Sequence, residues 1–322
     1  MDKLKKYSEI KLAVVIPCFN TAKHIKKVIE TISDKAKHII VIDDKCPQMS
    51  GKIAEDLNNN RVIVIYHKKN RGVGGAVISG YKKAMELNCD IIVKMDGDGQ
   101  MDPEYLEKLI KPIIEKKADY AKGNRFYDFK ALQAMPKIRL IGNGILSFFT
   151  KAASGYWNVT DVVNGYTAIS GNALKNINLS KLNEGYFFEI NMLIQIGIAG
   201  YVAHDIPIPA VYRDETSNMR IMQILAAFPF LLFIGLCKRI FYRYFIYDFN
   251  MASIYILLGL PMTVWGVAFG LYRWSVGIAT GVPNNAGTIF LAVLPLILGV
   301  QFLLQAINID IANIPFRDRK NQ

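Results

Sequence analysis

Asp96-Gly97-Asp98-Gly99-Gln100 sets two carboxylates at i, i+2 between glycines. It follows Asp90-Ile91-Ile92-Val93-Lys94-Met95, an apolar run rich in β-branched residues that predicts a buried strand. The glycines let the backbone turn sharply and come close to a ligand. Two carboxylates at a strand end suit a hard divalent cation, which takes oxygen ligands and shares its shell with substrate phosphates. An isolated Asp-x-Asp is also what an ordinary polar turn looks like, so the elements around it decide its meaning.

Those elements alternate. Apolar runs at Leu12 to Pro17, His38 to Asp43, Arg61 to Tyr66, Asp90 to Met95 and Ala118 to Gly123 predict strands. Helix-period stretches at Thr21 to Ser33, Gly51 to Asn58, Val73 to Leu87 and Pro103 to Lys116 lie between them, the last with Asp102 as N-cap and proline in its first turn. This βαβα rhythm implies an α/β domain with a mostly parallel sheet covered on both faces. Ligands then bind outside the carboxyl ends of the strands. The polar clusters Cys18-Phe19-Asn20, Asp43-Asp44, Lys68 to Arg71 and Asp96 to Asp98 fall there. Asn70-Arg71-Gly72-Val73-Gly74-Gly75 opens a helix after a strand, but Val77 stands where a dinucleotide-binding turn would need its third glycine. It reads as a basic helix N-terminus suited to phosphate, or as a plain glycine-rich turn.

Composition narrows the partners. The 322 residues are 52% hydrophobic with a net charge of +12. The apolar excess is concentrated in the last hundred or so residues, so the charge points to phosphorylated substrates or an anionic membrane surface rather than nucleic acid. Four scattered cysteines without C-x-x-C spacing predict reduced thiols and no zinc site. The charged start, Met1-Asp2-Lys3-Leu4-Lys5-Lys6, lacks the apolar core of a signal peptide. The histidines show no metal-ligand spacing, and the acceptor patterns at Asn158 and Asn178 carry no weight on the cytosolic side.

Met251 to Tyr272 and Ala286 to Ile307 are each 22 residues without a charge. At ~1.5 Å per residue each spans ~30 Å of hydrocarbon, so two transmembrane helices are expected. Arg273 to Asn285 is the expected loop. Lys238, Arg239 and Arg243 before the pair, and Arg317, Arg319 and Lys320 after it, place both flanks and the catalytic domain in the cytosol. Residues 220–250 mix aromatic and basic side chains as interfacial helices do, with a short third span from Ile221 to Cys237 as the alternative. The expected organisation is a domain over 1–219, juxtamembrane helices over 220–250 and the membrane pair over 251–322.

Taken in order, Val14 to Asn20, Val41 to Asp44, Asn70-Arg71-Gly72 and Asp96 to Pro103 resemble family 2 glycosyltransferases. Gly123-Asn124-Arg125, Arg139 with Gly142-Asn143, Asp161 with Asn164-Gly165-Tyr166, and Phe187-Phe188-Glu189 extend the likeness to polyprenyl-phosphate glycosyltransferases, relatives of dolichyl-phosphate mannose synthase. The resemblance implies a GT-A nucleotide-diphospho-sugar-binding fold and inverting transfer from a nucleotide sugar, UDP-linked by preference, to a polyprenyl phosphate. It implies donor contacts at Pro17, Phe19, Asn20, Asp43, Asp44, Asn70, Arg71, Gly72 and Asp96. It also implies Mg²⁺ or Mn²⁺ at Asp96, Asp98 and Gln100, with Asp96 and Asp98 catalytic. Arg125, Arg139, Arg213, Ser217 and Arg220 are the expected acceptor or phosphate contacts; Asn218 departs from the Ser-Lys common in relatives, so Arg213 or Arg220 takes over that contact. Glu189 and Asp205 are expected to be structural. A homo-oligomer, a tetramer, is implied by resemblance alone. Two other readings are a polysaccharide synthase, against which stands the missing Gln-x-x-Arg-Trp motif, and an inactive membrane scaffold, against which stand the intact carboxylates.

Overall fold

A computed structural model describes residues 10–127, 137–209 and 221–317. Seven strands form one sheet in the order β3-β2-β1-β4-β6-β5-β7: β1 Leu12–Cys18, β2 Ala36–Asp43, β3 Val62–Tyr66, β4 Ile91–Lys94, β5 Tyr120–Asn124, β6 Thr167–Ser170 and β7 Ala203–Pro207. The β3, β2, β1 and β4 neighbours are parallel, β6 runs antiparallel to both β4 and β5, and β7 is parallel to β5. All of β1 is buried, which is why it reads as an unbroken apolar run rather than an alternating one. The register aligns the strand ends, with Cys18 opposite Asp43, Asp43 opposite Tyr66, and Lys94 opposite both Val15 and Thr167.

The five strands and four helices read from the sequence through residue 124 are present, with shifted ends. The first helix, α1 Ile25–Thr31, starts late because Thr21 to His24 form a turn closed by Ile25 N–H to Thr21 O at 3.0 Å. α2 is Ser50–Glu55 and α3 is Gly72–Glu86. The Pro103 helix begins as a 3₁₀ turn, capped by Asp102 accepting from Glu104 N–H, and becomes α4 at Leu106–Ile114. Beyond it come α5 Lys137–Ser154, α6 Gly171–Lys175 and α7 Phe188–Ala199.

The chain divides into two compact units: Cys237–Ile314 is the second, and the first takes the chain before it and the tail from Pro315 on. The boundary at Leu236 lies inside α8, Ile221–Phe241, in the stretch 220–250 where juxtamembrane helices were expected. In the first unit α8 lies on α7: Phe228 meets Phe187 edge-on at 5.1 Å, and a Cβ on Gly235 would sit 2.7 Å from Ile194. In the second unit a π-helical turn at Tyr242–Tyr247 leads to α9 Met251–Thr280 and α10 Ala286–Ala312. Both helices are long and apolar enough to cross a membrane, and only 11% of each apolar window is buried.

The expected loop from Arg273 to Asn285 is corrected. α9 runs two turns further and stops at Gly281, whose φ of +66° suits glycine. Arg273 stays helical because Asn284 accepts from its Nε at 3.1 Å and donates to its carbonyl at 3.1 Å. A seam of small residues lets α9 and α10 approach. A Cβ on Gly299 would lie 2.5 Å from Thr263 Oγ1 and 2.8 Å from Gly259 O. Gly299→Leu is therefore expected to cost about 1–3 kcal/mol through overpacking. Thermal unfolding in detergent checks this, with Gly270→Ala, whose Cβ would meet Ala292 at an ordinary 3.5 Å, as the silent control.

Candidate active site

The loops after β1, β2, β3 and β4 are built around carboxylates. Asp43 and Asp44 end β2 and are both buried. Asp43 accepts from Cys46 N–H at 2.7 Å and Gly51 N–H at 2.8 Å, which folds the loop into α2. Asp44 accepts from Arg71 N–H at 2.9 Å and Gly72 N–H at 2.8 Å, and pairs with His67 Nδ1 at 2.6 Å. His67 Nε2 lies 2.8 Å from Ser79 Oγ on α3. The acidic pair thus carries loop architecture in addition to whatever ligand its remaining lone pairs meet. Pro17, near the end of β1, is buried, while after the strand Phe19 is 45% exposed and Asn20 takes φ of +59°. Cys46 Sγ accepts from Asn20 N–H at 3.2 Å, so the β1 and β2 loops form one floor.

In residues 70–75 the protein itself takes several of the amides. Arg71 and Gly72 give their amides to Asp44, and Gly75 N–H donates to Glu184 O at 2.9 Å. Asn70 Oδ1 accepts from Gly72 N–H at 3.0 Å, and the Arg71 side chain pairs with Glu184. The glycines are there for packing, since a Cβ on Gly74 would lie 2.3 Å from Asn183 O.

β4 ends in the residues expected to do chemistry. Asp98 Oδ1 accepts from Gln100 N–H at 2.9 Å, and Gly99 takes φ of +75° to close the turn. Asp96, Asp98 and Gln100 are all partly exposed. Asp96 Oδ1 meets Lys94 Nζ at 2.7 Å, and Lys94, 1% exposed, also meets Glu189 Oε1 at 3.0 Å. Burial opposes the Lys94 charge, but Asp96 and Glu189 more than offset it and hold the ammonium protonated. Among the described residues no group of three or more His, Cys, Asp or Glu side chains gathers as a metal cage. Two carboxylates on a tight turn do fit a hard cation whose other ligands are substrate oxygens and water.

Beside this turn lies a pocket lined by Gln100, Met101, Asp102, Tyr105, Arg125, Asn164, Tyr166, Ile208 and Pro209. Arg125 enters it from the end of β5, held by Asp161 in a two-pronged pair at 2.7 and 3.0 Å. The fold therefore brings Gln100 and Arg125 to one pocket. Arg139 is on α5 with its side chain outside the described residues, and Arg213, Ser217 and Arg220 lie outside them altogether.

Residues 13–177 match the model of glycosyl transferase family 2. The chain belongs to that family. It is 38% identical over 177 residues, half of this chain and 70% of the other, to the UDP-N-acetylglucosamine--dolichyl-phosphate N-acetylglucosaminyltransferase of Methanococcus voltae. It is 26% identical over 207 residues, 62% and 77% of the two chains, to the polyprenol monophosphomannose synthase of Mycolicibacterium smegmatis. Its fold resembles that of glucosyl-3-phosphoglycerate synthase from Mycobacterium tuberculosis, solved with Mn²⁺, UDP-glucose and glycerol 3-phosphate, with a TM-score of 0.53 at 18% identity over 73% of this chain and 82% of that one. The fold is GT-A-like and the protein is a glycosyltransferase.

Two site residues of this glycosyltransferase escape a motif reading. Lys94 looks like an intruder in an apolar strand, and that oddity is the signal that could have found it. Glu189, expected to be structural, is the second partner of Lys94. Asp205 Oδ2 accepts from Asn124 Nδ2 at 2.6 Å and from Thr160 N–H at 2.8 Å. Behind the site Lys122 is fully buried and donates to Asn164 O; burial pushes its ammonium down to about 8. Its folded value is thus below the ordinary 10.5, so the unfolded chain binds more protons between the two. Relative to Lys122→Met, the wild-type glycosyltransferase should gain stability as pH rises from about 8 to 10.5 and show no such trend below 8. Paired unfolding curves across that range check the slope.

Proposed function

We propose that this glycosyltransferase moves a sugar from a nucleoside-diphosphate sugar, UDP-linked by preference, to a polyprenyl phosphate at the cytosolic face of a membrane, inverting the anomeric centre. The observation that carries this reading is the union, in one chain, of the Asp96 to Gln100 strand end with two apolar helices of 30 and 27 residues. The strand end suits a diphosphate and the helices suit a lipid solvent. The relatives named for dolichyl and polyprenol phosphate support the acceptor, and the M. voltae relative supports a UDP-sugar donor. The fold neighbour solved with Mn²⁺ and UDP-glucose supports a divalent cation.

In this reading Asp98, Asp96 and Gln100 hold Mg²⁺ or Mn²⁺ against the donor diphosphate. The bound cation supplies neutralisation of the charge that builds on the leaving diphosphate. Asp43 and Asp44 hold the loops against which Phe19 and Asn20 meet the nucleotide, with Asn70, Arg71 and Gly72 at its edge. Arg125 brings a guanidinium, already oriented by Asp161, to the pocket beside the turn. A lipid phosphate is ionised near neutral pH and is its own nucleophile, so a strong general base is not required. A single displacement by that oxygen inverts the centre. Arg139, Arg213, Ser217 and Arg220 are the remaining candidates to meet the acceptor phosphate, since arginine grips phosphate through two parallel N–H donors. A polysaccharide synthase fits less well, because Arg273-Trp274 sits inside α9 and follows Leu271-Tyr272.

Asp98→Ala is expected to abolish transfer with the fold retained. Excess chelator should do the same to the parent, and Mg²⁺ or Mn²⁺ should restore it. The assay is transfer of labelled sugar to undecaprenyl phosphate, starting with UDP-N-acetylglucosamine, followed by lipid extraction; full activity in chelator would remove the cation from the reading. Topology is tested separately. Arg317, past the end of α10, donates to Asp119 beside β5 at 2.9 Å, which supports a cytosolic tail. On intact cells, in a background without Cys237, a cysteine at the exposed Val282 should react with an impermeant thiol reagent and one at the exposed Asn60 should not. The opposite pattern reverses the orientation.

A further inference from the structure

We infer that Lys94 makes cation binding at the end of β4 conditional on the donor's diphosphate. The inference rests on the proposed reading of that strand end as a cation and diphosphate site. Lys94 Nζ lies 2.7 Å from Asp96 Oδ1 and 3.0 Å from Glu189 Oε1, with the lysine side chain 1% exposed. The ammonium is walled in as well as paired. A Cβ on Gly165 would lie 2.3 Å from Lys94 Nζ and 2.8 Å from Asp96 Oδ2, so Lys94, Asp96 and the residue 165 backbone fill one another's space. Glu189, in the first turn of α7, fixes the ammonium from the other side.

The consequence is competition for one carboxylate. A divalent ion that uses Asp96 must share it with a buried cation that has no water to retreat into. Like charges so close oppose each other strongly where the local dielectric is low. Asp98 is the other carboxylate on the turn, Gln100 adds only a neutral amide oxygen, and among the described residues no group of three His, Cys, Asp or Glu side chains gathers there. The protein alone therefore offers a divalent cation a weakened site. A nucleoside diphosphate brings its own negative charge and oxygen ligands, and its arrival outweighs the ammonium. Cation and nucleotide then raise each other's affinity by the same factor, as linkage requires. After transfer, departure of the nucleoside diphosphate returns the site to its weak state and releases the cation with it. Lys94 is thus a positioning residue that acts through Asp96.

The test reads binding rather than turnover. Mn²⁺ binding to the full-length protein in detergent is followed from the free-ion electron paramagnetic resonance signal, alone and with UDP or GDP present. Wild type should bind Mn²⁺ at least about tenfold more tightly with one of the nucleotides, a coupling of ordinary size. The double variant Lys94→Met/Glu189→Gln removes the ammonium together with its buried partner, so no unpaired buried charge is left. It should bind Mn²⁺ alone about tenfold more tightly than wild type and lose most of the nucleotide coupling. Glu189→Gln by itself leaves the ammonium wholly to Asp96 and should bind Mn²⁺ alone several-fold more weakly. A merely structural role for Lys94 would weaken both variants, so the opposite signs are the signature. A double variant that binds Mn²⁺ no more tightly than wild type overturns the inference, and so does a Glu189→Gln variant that is unweakened. If that double variant does not fold, Lys94→Gln/Glu189→Gln takes its place and must likewise bind Mn²⁺ alone more tightly than wild type. Absence of Mn²⁺ binding to wild type with either nucleotide would sink the cation reading along with this one, whereas normal coupled binding with unresponsive variants sinks this one alone.

Discussion

The site depends on how carboxylates at the ends of buried parallel strands are satisfied. A strand covered on both faces delivers its last residues to the rim with no water beneath them, and an acidic group left there without partners would cost several kcal/mol. Each carboxylate therefore recruits a loop. Asp43 folds the entry to α2, Asp44 ties the β3 loop through two amides and His67, and Asp96 is matched by a buried lysine, while Asp161, in the loop before β6, orients Arg125 at the end of β5. Remove these bonds and the loops that form the rim have no common reference. The acidic residues are architecture first, and their outward lone pairs inherit a fixed geometry from that role.

This explains what the sequence made legible. Continuous β-branched runs and the acidic or glycine-rich residues ending them are local signals, so β1 to β5 and the positions of the polar clusters could be read directly. β6 and β7 could not. Thr167–Ser170 is four residues long, and Ala203–Pro207 contains His204 and Asp205; both are defined by long-range pairing with β4 and β5 rather than by their own pattern. Glu189 is legible only once α7 has been brought across the sheet to β4, because nothing in Phe187-Phe188-Glu189 points to a lysine 95 positions earlier. The glycines of residues 72–75 left two readings open for a related reason. A close approach of the 183–185 backbone and a phosphate cradle require the same absence of side chain, and only the folded neighbours tell them apart.

The second unit follows a different logic. Its helices share a surface of glycine, alanine and threonine, and most of their large apolar side chains point outward. Its few ionisable groups are paired with care. Arg239 grips Asp310 at 2.7 and 3.0 Å and Tyr244 donates to the same carboxylate at 2.6 Å, joining the end of α8 to the end of α10. An apolar exterior with a tightly matched polar clasp at one end is what a hairpin needs if it is to keep its register in hydrocarbon.

The two extra turns of α9 give that hairpin an unequal pair of arms. Thirty residues at ~1.5 Å each make a rod of ~45 Å, against a hydrocarbon thickness of ~30 Å. Tilt can absorb part of the excess. The segment from Arg273 to Thr280, clamped by Asn284, makes the remainder a stiff spur instead of a pliant link. If the pair spans a bilayer, such a spur extends past the hydrocarbon at the end where α9 and α10 are joined, and the exposed Trp274 and Tyr272 at its root suit a headgroup layer. The depth of the hairpin would then be set at that end as well as at its clasp, which makes the seating of the second unit sensitive to membrane thickness.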